Sequence, residues 1–122
     1  MGNPVIMVVD DSDIMLNLIK KILETKYEVR AFLSGSDAIS HLIDNTVDLI
    51  LLDYEMPGMT GYETLLSIRS SKNARNTPVI FLTGVTNKRL EDEMMDRGAN
   101  DFIRKPIDAS ILTQHVQKFI HS

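Results

Sequence analysis

The stretch 47–58, VDLILLDYEMPG, limits the fold more than any other part of this chain. Its residues 49–52 are all apolar and show no alternation, so both faces of the segment must be covered. That is the pattern of a central strand in a parallel sheet. Asp53 stands where such a strand leaves the sheet, and Pro57-Gly58 turns the chain directly afterwards. In open α/β sheets the carboxyl edge of the strands is where ligands bind. An Asp also starts turns for purely structural reasons, so this segment alone assigns no chemistry.

The remaining chain alternates strand and helix patterns. A β-branched run over 4–9 predicts a first strand ending in Asp10-Asp11. Ser12 or Asp13 then caps a helix reaching about Glu24, with Ile14, Leu18 and Ile22 on one face joined by Met15, Ile19 and Leu23. Residues 27–32 alternate and read as a strand nearer an edge. Ser34 or Ser36 caps a second helix carrying Ala38, Ile39, Leu42 and Ile43, which stops by Asn45. A third helix runs from Gly61 to about Ser71, with Leu65, Leu66 and Ile68 available for burial. After a polar loop over 72–77, Pro78 opens a strand over 79–83. A charged fourth helix holds Leu90 and Met94 and ends at Gly98. A short strand over 101–104 leads to Lys105-Pro106. The last helix, from near Asp108, is expected to bury Ile111, Leu112, His115, Val116, Phe119 and Ile120. Five strands alternating with five helices predict an α/β fold: a doubly wound, five-stranded parallel sheet of the flavodoxin-like kind, order 2-1-3-4-5, with helices on both faces.

At 122 residues the chain is read as one domain. It contains no cysteine, which excludes disulfides, thiol nucleophiles and Cys-based zinc sites. Thirteen basic against seventeen acidic residues leave a formal charge of −4, which argues against a nucleic-acid surface. No run approaches the roughly 20 apolar residues that span a bilayer, and no signal-peptide pattern opens the chain. A cytoplasmic protein with neither direct nucleic-acid nor membrane contact is therefore expected.

In the expected sheet, Asp10-Asp11, Asp53, Thr83 and Lys105 end strands one, three, four and five, and all come to the same edge. Carboxylates crowded together resist ionisation unless a cation joins them. Mg²⁺ suits such a site, because it takes a few carboxylates and completes its octahedron with water and phosphate oxygens. Lys105 adds an ammonium and Thr83 a hydroxyl donor. Metal, ammonium and hydroxyl together are what a transferring phosphoryl group requires. Asp53 is the candidate nucleophile, through an aspartyl phosphate. Asp10 and Asp11 are the metal ligands, directly or through water.

The ordered set Asp10-Asp11, Asp53 with Met56-Pro57-Gly58, Thr83-Gly84 and Lys105-Pro106 resembles the receiver domain of response regulators in two-component signalling. The resemblance covers nearly the whole chain, read as a single receiver over 1–122 that either stands alone or belongs to a longer regulator or hybrid kinase. It implies Mg²⁺-dependent phosphoryl transfer to Asp53 from a histidine kinase or histidine phosphotransfer protein. It also implies a metal ligand in the main-chain carbonyl of Glu55 and a cis Lys105-Pro106 peptide that aims the lysine. Thr83 and Phe102 occupy the switch positions, Phe102 lacking the hydroxyl of the tyrosine many relatives have there. The fourth helix, fifth strand and fifth helix, from about 87 to 121, become the expected surface for a downstream effector protein or attached output domain. The domain is then no enzyme in the ordinary sense, catalysing only its own phosphorylation and dephosphorylation. Glu55 and Val85 fall where receivers tune the phosphate's lifetime; Glu55 adds charge there or contacts the metal.

A Mg²⁺-dependent phosphohydrolase with an aspartyl nucleophile is the main competing function. Phosphatases of the haloacid dehalogenase type carry Asp-x-Asp after the first strand, whereas here Asp53-Tyr54-Glu55 follows the third. A flavin-binding domain of the same fold would meet repulsion between Asp10-Asp11 and the flavin phosphate. A constitutive interaction module would not need all five site residues. Phe102 also reads as plain core, His41, His115 and His121 as surface or partly packed residues, and Met94-Met95 as helix packing or a modest contact face.

Overall fold

The computed structural model of the chain describes residues 2–85 and 87–120. Five strands, β1 (Val5–Val9), β2 (Glu28–Phe32), β3 (Leu49–Asp53), β4 (Val79–Thr83) and β5 (Asp101–Arg104), alternate with five helices. The helices are α1 (Asp13–Leu23), α2 (Gly35–Asp44), α3 (Gly61–Ser70), α4 (Lys88–Asp96) and α5 (Ala109–Phe119). All strand pairs are parallel and the order is β2-β1-β3-β4-β5, as expected from sequence.

Every residue of β3 and β4 is buried, which is why neither segment alternates. Successive side chains point to opposite sides of the sheet. Leu49 and Leu51 therefore join the core beneath α1 and α5, while Ile50 and Leu52 join the core beneath α2, α3 and α4. Gly98, at φ 115°, follows the last turn of α4 and ends it in a conformation only glycine adopts readily.

Side-chain caps hold the helix starts. Ser12, not Asp13, caps α1 through the Met15 N–H, and Ser34, not Ser36, caps α2 through the Asp37 N–H. Thr60 and Glu63 form a reciprocal capping box at α3. Among the described residues no helix is long and apolar enough to cross a membrane.

Several burial expectations are corrected. The stripe of α1 that meets the sheet is Leu16, Ile19 and Leu23, while Ile14 is 83% exposed and Leu18 is 41% exposed. At about 100° per residue, Ile14 and Leu18 lie on the opposite side of the helix from Leu16. The helix carries two apolar rows and the sheet covers only one. Likewise Leu66 on α3 and Ile111 on α5 face solvent, and His115 and Phe119 are half-buried. His121 lies outside the described residues.

Candidate functional site

Because all strands run the same way, the residues at the carboxyl ends of β1, β3, β4 and β5 gather at one edge. Val9 pairs with Leu52, Asp53 with Leu82, and Thr83 with Arg104, so Asp10, Asp53, Thr83 and Lys105 stand side by side across four strands. Backbone bonds continue the sheet by one rung there: the Asp10 N–H donates to the Phe32 carbonyl (3.1 Å) and the Lys105 N–H to the Thr83 carbonyl (2.8 Å).

Asp10 and Asp53 are fully buried, and Asp11 is exposed beside them. One carboxylate oxygen from each of the three lies within 4.8 Å of the others. The Lys105 ammonium donates to Asp53 Oδ1 at 3.0 Å and stands 3.3 Å from Asp10 Oδ2. Backbone N–H groups hold the carboxylates in place: Ser12 donates to Asp10 Oδ1 (2.9 Å) and Glu55 to Asp53 Oδ1 (3.1 Å). Asp10 Oδ2 is buried and, among the described residues, has no hydrogen bond, only the ion-pair contact with Lys105. A buried anionic oxygen left this way is a strong ligand for a hard cation. The donor set, all oxygen and mostly carboxylate, fits Mg²⁺ by the same chemistry.

Electrostatics in the site follow from burial. Desolvation pushes the Asp53 carboxyl from 3.8 up to about 6; the Asp10 charge adds to the rise, and the Lys105 hydrogen bond and charge only partly oppose it. Burial works against the Lys105 ammonium too, but the hydrogen bond and charge of Asp53, with the Asp10 charge, outweigh it and hold its pKa above that of a free lysine.

The Thr83 hydroxyl, 4% exposed as a residue, donates to Glu55 Oε1 at 2.9 Å. The same oxygen accepts the Gly84 N–H at 3.1 Å, and the Thr83 hydroxyl oxygen accepts the Val85 N–H at 3.0 Å. Glu55 is thus beside the site as expected, yet its side chain is spent on Thr83 and Gly84. That partner lies 28 positions away in sequence, and nothing in the spacing announces it. The Lys105-Pro106 peptide is cis, as the resemblance implied.

Phe102 is half-buried and stacks on Phe81 (centroids 5.7 Å, 29° between planes), which meets Tyr54 edge-on (5.3 Å, 81°). An aromatic row therefore runs from the residue after Asp53 across β4 to β5. Tyr54 and Phe81 were not singled out from sequence: Phe81 reads there as an ordinary strand residue, and Tyr54 only as part of the segment between Asp53 and the Pro57-Gly58 turn. Of the histidines, His41 is half-buried near Arg30, and His115 Nδ1 lies 2.6 Å from Asp101 Oδ2 on the α5 side, away from the carboxylates.

The model of the response regulator receiver domain matches residues 6–117. A probable cyclic di-GMP phosphodiesterase from Vibrio cholerae is 34% identical over 117 residues, covering 96% of this chain but only 26% of that protein. Among solved structures, the chemotaxis protein CheY4 of Vibrio cholerae superimposes with a TM-score of 0.92 at 27% identity, covering 98% of this chain and all of the other. The receiver domain of the sensor histidine kinase PA1611 of Pseudomonas aeruginosa was solved with a magnesium ion coordinated in its active site cleft. It matches 99% of this chain and 100% of its own, with a TM-score of 0.88 and 27% identity.

Proposed function

The chain belongs to the response regulator receiver family of two-component phosphorelay signalling, and from that premise we propose that it is a switch phosphorylated on Asp53. The observation that supports this most directly is the buried Asp53 carboxylate held at 3.0 Å by Lys105, beside a buried Asp10 Oδ2 that only the same ammonium approaches among the described residues.

Oδ1 of Asp53 takes the hydrogen bonds of both Lys105 and the Glu55 N–H, so among the described residues Oδ2 is the oxygen left to attack. It forms the new P–O bond as the P–N bond of a donor phosphohistidine breaks, and the departing imidazole takes a proton. The donor is a histidine kinase or histidine phosphotransfer protein; an acyl phosphate substitutes by losing its carboxylate. Asp10, Asp11 and Asp53, with the Glu55 main-chain carbonyl, are the residues that would hold Mg²⁺, which supplies positive charge to the phosphoryl oxygens when bound. Lys105 adds a fixed ammonium, and Thr83 and Gly84 bring a hydroxyl and an N–H to the same edge. The output runs through Thr83 and Phe102 to the α4–β5–α5 face, which controls a downstream effector or an attached output domain. The domain promotes its own phosphorylation and dephosphorylation and acts on no further substrate. With such partners it acts in the cytoplasm, and no described helix is long and apolar enough to cross a membrane.

The test is intact mass after incubation with Mg²⁺ and acetyl phosphate. The protein should gain one base-labile phosphoryl group, and Asp53→Asn should gain none. Full labelling of the variant would refute the assignment.

A further inference from the structure

Glu55 is exposed, yet its carboxylate holds two of the donors that face the site edge. Oε1 accepts both the Thr83 hydroxyl and the Gly84 N–H, while the Thr83 oxygen is itself engaged by the Val85 N–H. The hydroxyl thus has its proton and its oxygen both committed. Among the described residues the Lys105 ammonium and the Glu55 N–H also donate at this edge, and both are bonded to Asp53 Oδ1.

A carboxylate oxygen and a phosphoryl oxygen make the same demand on their surroundings: both are anionic acceptors that form short, charge-assisted hydrogen bonds. They cannot share the same donors at once, and a phosphoryl dianion set beside a carboxylate adds like-charge repulsion. We propose that the Glu55 carboxylate is a resident latch, holding in the resting protein the place a phosphoryl oxygen takes on Thr83 and Gly84. Resting on the reading of Asp53 as phosphoacceptor, the latch has two consequences. Phosphorylation must expel the carboxylate, so the latch opposes phosphoryl uptake and lets only strong donors drive it. Thr83 cannot turn to the phosphoryl group until Glu55 leaves, so release of Glu55 and commitment of Thr83 are one event. The side chain's exposure gives it a direct way into water, and its departure repacks none of the buried core.

Wild type, Glu55→Gln and Glu55→Ala are to be titrated with acetyl phosphate in Mg²⁺, with uptake read by intact mass and the Gly84 amide followed by ¹H–¹⁵N NMR. The expected result is half-maximal phosphorylation of Glu55→Ala at a donor concentration about tenfold lower than for wild type. Glu55→Gln falls between, because its amide oxygen still accepts but carries no charge. The Gly84 resonance should differ between resting wild type and resting Glu55→Ala and coincide once both are phosphorylated, since a phosphoryl oxygen then serves it in each. Wild-type uptake with an unchanged Glu55→Ala titration overturns the latch and leaves the phosphoacceptor reading intact. An easier titration with a Gly84 resonance indifferent to the substitution also overturns it, reducing Glu55 to a general charge effect. If none of the three proteins takes up a phosphoryl group, the phosphoacceptor reading falls and the latch with it.

Discussion

At the scale of single residues, Asp53 holds a charge that its surroundings disfavour. Its carboxyl is raised from 3.8 to about 6 by burial first and by Asp10 second. The folded protein therefore binds a proton there that the unfolded chain has already released between about pH 4 and 6. That contribution to stability is full below about pH 4 and is lost as the pH rises through about 6. The rise corresponds to about 3 kcal/mol as an upper figure. In chelator, Asp53→Asn should be more stable than wild type by about 1–3 kcal/mol above pH 6, with the gap closing below about pH 4. Urea denaturation across pH measures this. Adding Mg²⁺ at neutral pH should stabilise wild type and leave the variant nearly unchanged; equal stabilisation of both would remove Asp53 from the metal site. That Asp10, Asp11, Asp53, Thr83 and Lys105 come to one edge was legible because each stands at the carboxyl end of a strand. The bond from Glu55 to Thr83 was not, since the direction a flexible exposed side chain takes is set by donors from another strand.

At the scale of elements, the junction of β3 and α3 is held close by a glycine. A Cβ on Gly61 would come within 2.5 Å of the Asp53 carbonyl oxygen and 2.7 Å of the Tyr54 Cα, both backbone atoms that cannot swing away. The start of α3 therefore lies against the end of β3, where the proposed nucleophile Asp53 stands, and the Gly61 N–H donates to the Tyr54 carbonyl at 3.3 Å. Gly61→Ala should destabilise the protein by about 1–3 kcal/mol and slow acetyl phosphate labelling of Asp53, because relief requires moving β3's end or the helix. Stability and labelling rate both equal to wild type would show that the contact yields freely. From sequence Gly61 is only a helix start; its closeness to β3 depends on where the loop folds back. The helix patterns were legible as amphipathic segments, but in α1 the row that meets the sheet was not, because two apolar rows compete and packing selects one.

At the scale of the whole molecule, the edge opposite the site is tied by Arg69. Its guanidinium donates to the carbonyls of Gly98, Ala74, Arg75 and Thr77 and to Asn100 Oδ1, joining the end of α3, the loop before β4 and the turn between α4 and β5. Lysine has three donors on one atom and cannot reach acceptors spread around a planar fork. Arg69→Lys should lower Tm by about 5–10 °C while leaving the initial rate of Asp53 labelling within about twofold of wild type. A large loss of labelling below the new Tm would mean that the two edges are coupled.

The order of strands and helices, the burial of both faces of β3 and β4, and the chemical types gathered at the sheet's edge were determined by the sequence itself. Those properties depend on local periodicity, on turn residues and on the general rules of parallel sheets, all of which are written along the chain. Tertiary structure alone decided which face of α1 is covered, that burial pushes the Asp53 carboxyl up to about 6, and that Glu55 closes on Thr83 and Gly84. Each of these depends on distances between groups from different strands: Lys105 and Asp53 are 52 positions apart and meet at 3.0 Å only because the parallel sheet brings the ends of β3 and β5 to one edge.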